Sequence, residues 1–254
     1  MTSKTILITG ANRGLGRGLT TAYLAQPNTH IIATVRNPSD STSSSLTSLR
    51  KAQGSSLTLL QLDVAKETDY PTLVQSLSSL NITNLDTVIA NAAIAQALAL
   101  AKDVKPADLL SHIQVNVIGP LLLFQHLLPF LTNNNSNSSG KFIAMSSSAG
   151  SIGGQEALPV PTSVYGTSKA ALNYIVRKMH FENEGLVVLA MEPGWVQTEM
   201  GKKGAVELGF GDRINELLIT TEVSVEGMVK VIEGATREET GGRFVRYNGE
   251  QMPW

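Results

Sequence analysis

Short, continuously apolar runs alternate along this chain with longer segments whose apolar positions recur every three or four residues. The runs occupy residues 5–9, 30–35, 57–62, 87–90, 141–145, 186–191 and 242–247, and each has the length of a strand. Continuous rather than alternating apolar character is what a strand buried on both faces requires. Segments of helical period lie between them at residues 15–24, 66–80, 106–131, 163–184 and 224–234. Strands separated by helices predict an α/β fold, a doubly wound parallel sheet of about seven strands with helices on both faces. Residues 39–48 (mostly Ser and Thr) and 132–140 (Asn and Ser) are low in complexity and read as loops between elements. Neither is long enough for an interdomain linker and no internal repeat is visible, so residues 1–254 are expected to form one domain.

Composition narrows the function by exclusion. A net charge of −1 gives no electrostatic footprint for nucleic acid or an anionic membrane. The absence of cysteine removes disulfides, thiolate catalysis and cysteine-metal sites together. His30, His112, His126 and His180 are scattered without metal-ligand spacing, so no metal is expected. The first apolar stretch, Ile6-Leu7-Ile8, is too short for a signal-peptide core or a membrane span. The Asn-x-Ser/Thr sequons at Asn81, Asn134 and Asn137 are therefore read as chance, and a cytoplasmic location is expected.

The first strand candidate runs into Thr9-Gly10-Ala11-Asn12-Arg13-Gly14-Leu15-Gly16, and a helix follows at once. Gly10 permits the sharp turn, Gly14 lets the backbone approach a pyrophosphate, and Gly16 lets the helix pack closely on the sheet. The helix N-terminus then offers N–H groups and partial positive charge to phosphates, which makes this a Rossmann-type dinucleotide turn. The second strand ends Ala33-Thr34-Val35-Arg36-Asn37, without the carboxylate that would accept hydrogen bonds from an NAD ribose. Arg36, with Arg13 from the glycine turn, is instead suited to a 2′-phosphate, so NADPH is the expected cofactor.

Tyr165 and Lys169 are four apart at the start of the helical segment 163–184, so they share one face. A tyrosine is a weak acid-base catalyst at its free pKa of about 10, and a nearby cation is expected to lower that value. Upstream, the fifth strand candidate ends in Met145-Ser146-Ser147-Ser148-Ala149-Gly150. A hydroxyl at the carboxyl end of a parallel strand lies where such sheets bind ligands, and it suits a carbonyl oxygen that gains negative charge. The residues alone leave open which of the three serines does this.

With these motifs the chain resembles the short-chain dehydrogenase/reductases over essentially its whole length. The matching positions are Thr9 to Gly16, Asp63-Val64, Asn91-Ala92-Ala93, Asn116, Ser147, Tyr165 with Lys169, and Pro193-Gly194 followed by Thr198. The resemblance implies that Tyr165 donates a proton to a carbonyl and that Lys169 binds the nicotinamide ribose and depresses the tyrosine pKa. It implies that Ser147 holds the substrate oxygen and that Asn116 anchors a proton-supplying water chain. Asp63 and Val64 would line the adenine pocket, Asn91 the adenosine side of the cleft, and Val196 and Thr198 the nicotinamide amide. Ser147 is chosen on the family's Ser-x-x-Gly pattern, with Ser146 and Ser148 left open. The chain departs from that pattern at Ala93, where the family has glycine, and in a longer gap from Ser147 to Tyr165 that contains Pro159 and Pro161.

A narrower similarity is to the fungal norsolorinic acid ketoreductases and their relatives. It rests on Asn173-Tyr174, Val176-Arg177-Lys178, His180-Phe181-Glu182-Asn183, Pro193-Gly194-Trp195-Val196-Gln197-Thr198 and Pro253-Trp254. It implies a bulky or aromatic, polyketide-like ketone as the small-molecule substrate. Residues 148–162, 94–102 and 199–211 are expected to choose that substrate, the last as a glycine-rich lid or a flexible surface loop. Segments 106–131 and 163–184 are apolar on more than one face, and with the resemblance this implies a homo-oligomer, dimer or tetramer. Two other readings stand beside ketone reduction: alcohol oxidation by the same residues, and a non-catalytic NADPH sensor or scaffold. The second would be expected to lack Ser147, Tyr165 or Lys169, all of which are present.

Overall fold

Seven strands form one parallel sheet: β1 (Lys4–Thr9), β2 (Thr29–Val35), β3 (Ser56–Gln61), β4 (Thr87–Ala90), β5 (Gly140–Met145), β6 (Leu186–Glu192) and β7 (Phe244–Arg246). Their spatial order is β3-β2-β1-β4-β5-β6-β7, and every neighbouring pair is parallel. The helices are α1 (Gly14–Leu24), α2 (Ser41–Ser44), α3 (Asp69–Ser79), α4 (Pro106–Ile113), α5 (Gly119–Thr132), α6 (Ser163–Phe181), α7 (Glu199–Glu207), α8 (Ile214–Leu217) and α9 (Thr221–Gly234). This computed structural model describes residues 4–133, 139–157 and 160–254. The sequons at Asn134 and Asn137, and Pro159, lie outside the described residues.

Alternate residues of each strand feed two separate cores. On one face Leu7, Val88, Phe142 and Val188 pack with Leu73 and Leu77 of α3, Leu123 and Leu127 of α5, and Leu172 and Val176 of α6. On the other, Ile6, Ile89, Ile143 and Leu189 meet Leu19 and Tyr23 of α1 and Met228 and Ile232 of α9. Burial on both faces is the reason the strands read as unbroken apolar runs. The 27-residue stretch Pro106–Thr132 is long and apolar enough to cross a membrane. Here Leu123, Phe124, Leu127 and Leu131 of that stretch are buried in the first core. Leu110 on α4, and Tyr174 and Phe181 on α6, stay largely exposed on the helices expected to carry an interface.

The structure corrects several expectations. Residues 39–48 are not a loop: Asp40 caps α2 by accepting the Ser43 N–H at 2.8 Å, and a 3₁₀ turn, Ser45–Ser48, follows. Residues 199–211 are not a flexible loop either, because Thr198 caps α7 by accepting the Gly201 N–H at 3.1 Å. The helix expected over 106–131 is interrupted by a π turn, Gln114–Ile118. The helix expected from residue 66 begins at Asp69, after turns closed by Lys66 N–H to Asp63 O and Asp69 N–H to Lys66 O. The last strand is three residues rather than six, and β6 extends one residue further, to Glu192.

Phe142 is fully buried in β5 and meets Phe124 edge-on at 5.2 Å. Phe142→Ala is expected to lower unfolding free energy by about 3–5 kcal/mol, read from urea denaturation. A loss below about 1 kcal/mol would contradict this packing.

Candidate active site

The parallel strands deliver the ends of β1, β4, β5 and β6 to one edge, and the strand order reverses between β1 and β4. Ligands of open α/β sheets bind at that crevice. The glycine turn lies there. Gly10 and Gly14 have φ of +64° and +51°, a backbone region that favours glycine. A Cβ on Gly16 would come within 2.2 Å of Gly10 O and 2.6 Å of Asn91 Nδ2. Asn91 closes the turn from β4 by donating its side-chain N–H to Thr9 O at 2.8 Å, while its backbone N–H and that of Ala92 reach Thr9 Oγ1 at 3.0 Å each. Arg13 precedes α1 without a side-chain cap, so the first-turn N–H groups face the crevice with no side chain of the cap residue on them. Free donors, a bare backbone and a helix N-terminus fit a dinucleotide pyrophosphate.

Around this turn the sequence-predicted residues fall as follows. Arg13 and Arg36 are both exposed, and Arg13 Nη1 lies 3.2 Å from Glu199 Oε2. Asp63 accepts the Ala65 N–H, and Val64 is buried with its carbonyl accepting the Tyr70 hydroxyl at 2.9 Å. Leu15 is half-buried in the first turn of α1. Val196 is buried, Thr198 caps α7, and Thr198 Cγ2 stands 3.4 Å from a Cβ placed on Gly14. Pro193 O accepts the Ser224 hydroxyl at 2.6 Å. The docking of the serine-rich segment on the turn was not foreseen: Asn12 Nδ2 donates to Thr42 Oγ1 at 2.7 Å and Arg17 Nη1 to Ser45 Oγ at 2.9 Å. Its signal in the sequence is Asp40 before Ser41, a helix cap.

The reacting groups converge where α6 crosses the end of β5. Ser146 is buried and donates its hydroxyl to Asn173 Oδ1 at 2.5 Å. Ser148 lines a cavity with Glu192, and Ser147 lies beside the Tyr165 hydroxyl. Of the three serines, therefore, Ser147 is the one beside the tyrosine. Lys169 is 2 % exposed, donates to Met145 O at 2.7 Å, and stands 5.6 Å from the Tyr165 ring centre. Asn116 occupies the π turn, a distortion common at functional sites. Its amide pairs with Ile94 N–H and O at 2.9 Å each and donates to Ser168 Oγ at 3.0 Å.

The electrostatics differ from the expectation that Lys169 lowers the tyrosine pKa. Burial pushes the Tyr165 phenol up to about 12; the Ser147 hydrogen bond opposes this and the nearby Glu192 charge adds to it. Burial pushes the Lys169 ammonium down to about 7. Desolvation leads both shifts because both groups leave water together. Tyr165 keeps some solvent exposure, so the crowding around its hydroxyl rather than complete enclosure raises it.

Glu192 was not singled out from the sequence. It is a carboxylate 4 % exposed at the end of β6, and its Oε2 accepts the Gly194 N–H at 2.8 Å. Burial raises its pKa, opposed by the Gly194 hydrogen bond, Arg246 and Ser148. An acid closing an otherwise apolar strand just before Pro-Gly was the available signal. It lines a cavity of about 250 Å³ with Ser148, Trp195, Ile219, Arg246 and Asn248.

A family profile described as short chain dehydrogenase matches residues 4–207. The chain belongs to the short-chain dehydrogenase/reductase family. A norsolorinic acid ketoreductase of Dothistroma septosporum is 40 % identical over 98 % of this chain and 92 % of its own length. A short chain dehydrogenase of Penicillium aethiopicum is 39 % identical over 98 % of this chain and 99 % of its own. Among solved structures, the NADPH-bound carbonyl reductase from chicken fatty liver superposes with a TM-score of 0.86 at 30 % identity, over 100 % of this chain and 95 % of that one. This short-chain dehydrogenase/reductase is accordingly an oxidoreductase that uses NADPH.

Lys169 provides a check on the site through pH. Its folded pKa near 7 lies below the ordinary 10.5, so the unfolded chain binds the extra proton and the folded one does not. This residue therefore makes stability rise with pH between those values. Lys169→Met is expected to stabilise the fold at pH 7 by about 1 kcal/mol or more and to flatten that slope. Denaturation curves at pH 7 and 9 read both effects, and a variant with the wild-type slope would contradict the buried, deprotonated lysine.

Proposed function

We propose that this enzyme reduces a bulky or aromatic ketone, with Tyr165 as the proton donor. The observation that carries the reading is the meeting of Tyr165, Ser147 and Lys169 at the carboxyl end of β5, beside the glycine turn. NADPH, when bound, supplies the hydride. Ser147 donates a hydrogen bond to the substrate oxygen and Tyr165 passes its proton to that oxygen as charge develops on it. Lys169 holds the geometry through Met145 O and would bind a ribose hydroxyl of the cofactor. Burial holds the Tyr165 phenol in its protonated form, the form that can give a proton to a ketone oxygen. Asn116 acts by fixing the 94 segment and Ser168.

The substrate class rests on the norsolorinic acid ketoreductases among the relatives. Trp195 and Phe210 meet edge-on at 6.0 Å, and Ile152 and Met200 are exposed nearby in sequence to the serine turn and to α7. Arg13 and Arg36 would hold the 2′-phosphate, Asp63 and Val64 would line the adenine, and Val196 and Thr198 would meet the nicotinamide amide.

Tyr165→Phe is expected to lower kcat for ketone reduction by about 10²-fold or more while leaving the NADPH Kd within about twofold. NADPH oxidation against a panel of aromatic and aliphatic ketones measures the first, and fluorescence titration the second. A variant that turns over at the wild-type rate would remove the tyrosine from the mechanism. The double change Arg13→Ala with Arg36→Ala is expected to raise the NADPH Kd by roughly 10- to 100-fold and to leave NADH binding nearly unchanged. Equal loss for both dinucleotides would place the 2′-phosphate elsewhere.

A further inference from the structure

Pro253 and Trp254 take no part in the reaction described above, yet they are joined to the segment that leaves the serine turn. Beyond β7 the chain reverses. The Arg246 N–H donates to Glu250 O at 2.8 Å, Val245 bridges Gln251 antiparallel, and the Met252 N–H donates to Phe244 O at 2.8 Å. This reversal carries Pro253 and Trp254 to residues 151–154. The Ser151 hydroxyl donates to Pro253 O at 2.7 Å, and the Gly153 N–H donates to Trp254 O at 2.6 Å. Ser151 Oγ in turn accepts the Gly154 N–H at 2.9 Å, and Gln155 Nε2 donates to Ser151 O at 2.6 Å. The Trp254 ring is itself held: it stacks on Phe244 at 5.8 Å, and the Arg177 guanidinium of α6 stands 5.4 Å from its centre.

We infer that Trp254 is a positioning residue for substrate choice, fixing residues 151–154 through Pro253 and Ser151 as a wall against which a bulky ketone is seated. The inference rests on the bulky-ketone reading above. Residues 151–162 connect the turn that holds Ser147 to the helix that opens just before Tyr165, so this segment leaves and rejoins the reacting pair. Gly153 and Gly154 give its first part high conformational entropy. Ile152, the large apolar side chain there, is 75 % exposed, so the segment is not fixed by its own packing. The fixing contacts come from the reversed chain instead, and a Cβ on Gly153 would lie 3.3 Å from Trp254 O and 3.4 Å from Pro253 Cβ. The far end is tied separately: Pro161 O accepts the Ala99 N–H at 2.8 Å, and Ala99 O accepts the Ser163 N–H at 3.3 Å. Arg177 lies on the helix that carries Tyr165 and Lys169, so Trp254 refers the wall to the same frame as the reacting groups. A small ketone needs only Ser147 and Tyr165, whereas a bulky one also meets the wall.

The test compares kcat and KM for a fused-ring aryl ketone and a short aliphatic ketone in wild type, Trp254→Ala, Trp254→Phe, Ser151→Ala and the double change Ser151→Ala with Trp254→Ala. NADPH Kd and hydrogen exchange over residues 151–155 are measured beside them. If the wall is in place in only a tenth of the molecules, apparent affinity for what it seats falls about tenfold. Trp254→Ala is therefore expected to raise KM for the aryl ketone roughly tenfold at nearly unchanged kcat, and to speed exchange over 151–155. The aliphatic ketone's kcat/KM and the NADPH Kd stay within about twofold. Trp254→Phe keeps a ring on Phe244 and restores most of the aryl KM. Ser151→Ala acts in the same direction, and the double change adds little to the larger single effect because both act on one contact. An aryl KM unchanged in both single alanine variants overturns the inference, as does an equal loss for the two ketones. Should Trp254→Ala fail to fold, Ser151→Ala decides by the same split. A wild-type enzyme that reduces the aliphatic ketone but not the aryl one overturns the bulky-ketone reading and this inference with it.

Discussion

The hydrogen bond from Lys169 to Met145 O, 2.7 Å long and fully buried, is the contact on which the reacting site depends. It joins α6 to the last residue of β5, and the chain turns into Ser146, Ser147 and Ser148 directly beyond that carbonyl. One helical turn back along α6 stands Tyr165. The bond can be this short because the helix and the serine turn touch through glycines: a Cβ on Gly150 would lie 2.6 Å from Lys169 Cβ, and one on Gly166 would lie 2.6 Å from Ala149 O. The tyrosine and serine are therefore placed by backbone contact rather than by flexible side chains. Sites built on regular elements in this way hold tighter geometry than sites on loops.

Placement by packing carries an energetic cost, because it takes the lysine out of water. Stability sacrificed at a site is a common companion of function. The fold offsets it with the two cores above and below the sheet, where strands β1, β4, β5 and β6 bury residues on both faces. The most constrained part of the sheet is also the part whose carboxyl ends carry the chemistry. Asn91 shows the coupling in one residue, since it directly follows β4, stitches the glycine turn to β1, and stands against Gly16 of α1.

The sheet and its order of elements were legible because burial on both faces leaves strands as unbroken apolar runs. Tyr165, Lys169 and Asn116 were legible because each is a chemically distinct residue in an ordered pattern. Ser147 was preferred on the family's pattern with Ser146 and Ser148 left open, and the structure adds that Ser146 is turned to Asn173 and that Ser148 lines a cavity with Glu192. What the sequence hid were short helices whose composition resembles loop. α2 is four residues of Ser and Thr, held by one cap and by contacts from Asn12 and Arg17 that are long-range in sequence. In α7, Gly201 and Gly204 argue against a helix, but Thr198 starts it, and Trp195 donates to Gly201 O at 3.2 Å. Glu192 was hidden for another reason: a charge at a strand end ordinarily points to solvent, and only the packed structure shows it enclosed.

Tyr165, Lys169 and Glu192 are all pushed toward their uncharged forms by the same loss of water. That common direction decides how the site responds to a reaction. In a medium where unlike groups are all disfavoured as ions, charge that arises on a substrate oxygen is not screened by neighbouring ions. It acts instead on the dipoles and protons already in place, the Ser147 and Tyr165 hydroxyls first, and it raises the proton affinity of Lys169 behind them. Low polarisability of the surroundings makes each of these interactions stronger than it would be in water. A site whose groups are pushed toward their neutral forms is thus poorly suited to hold a resting ion but well suited to meet one that forms for an instant. This is the electrostatic demand of carbonyl reduction, where negative charge on oxygen is transient and ends with proton transfer.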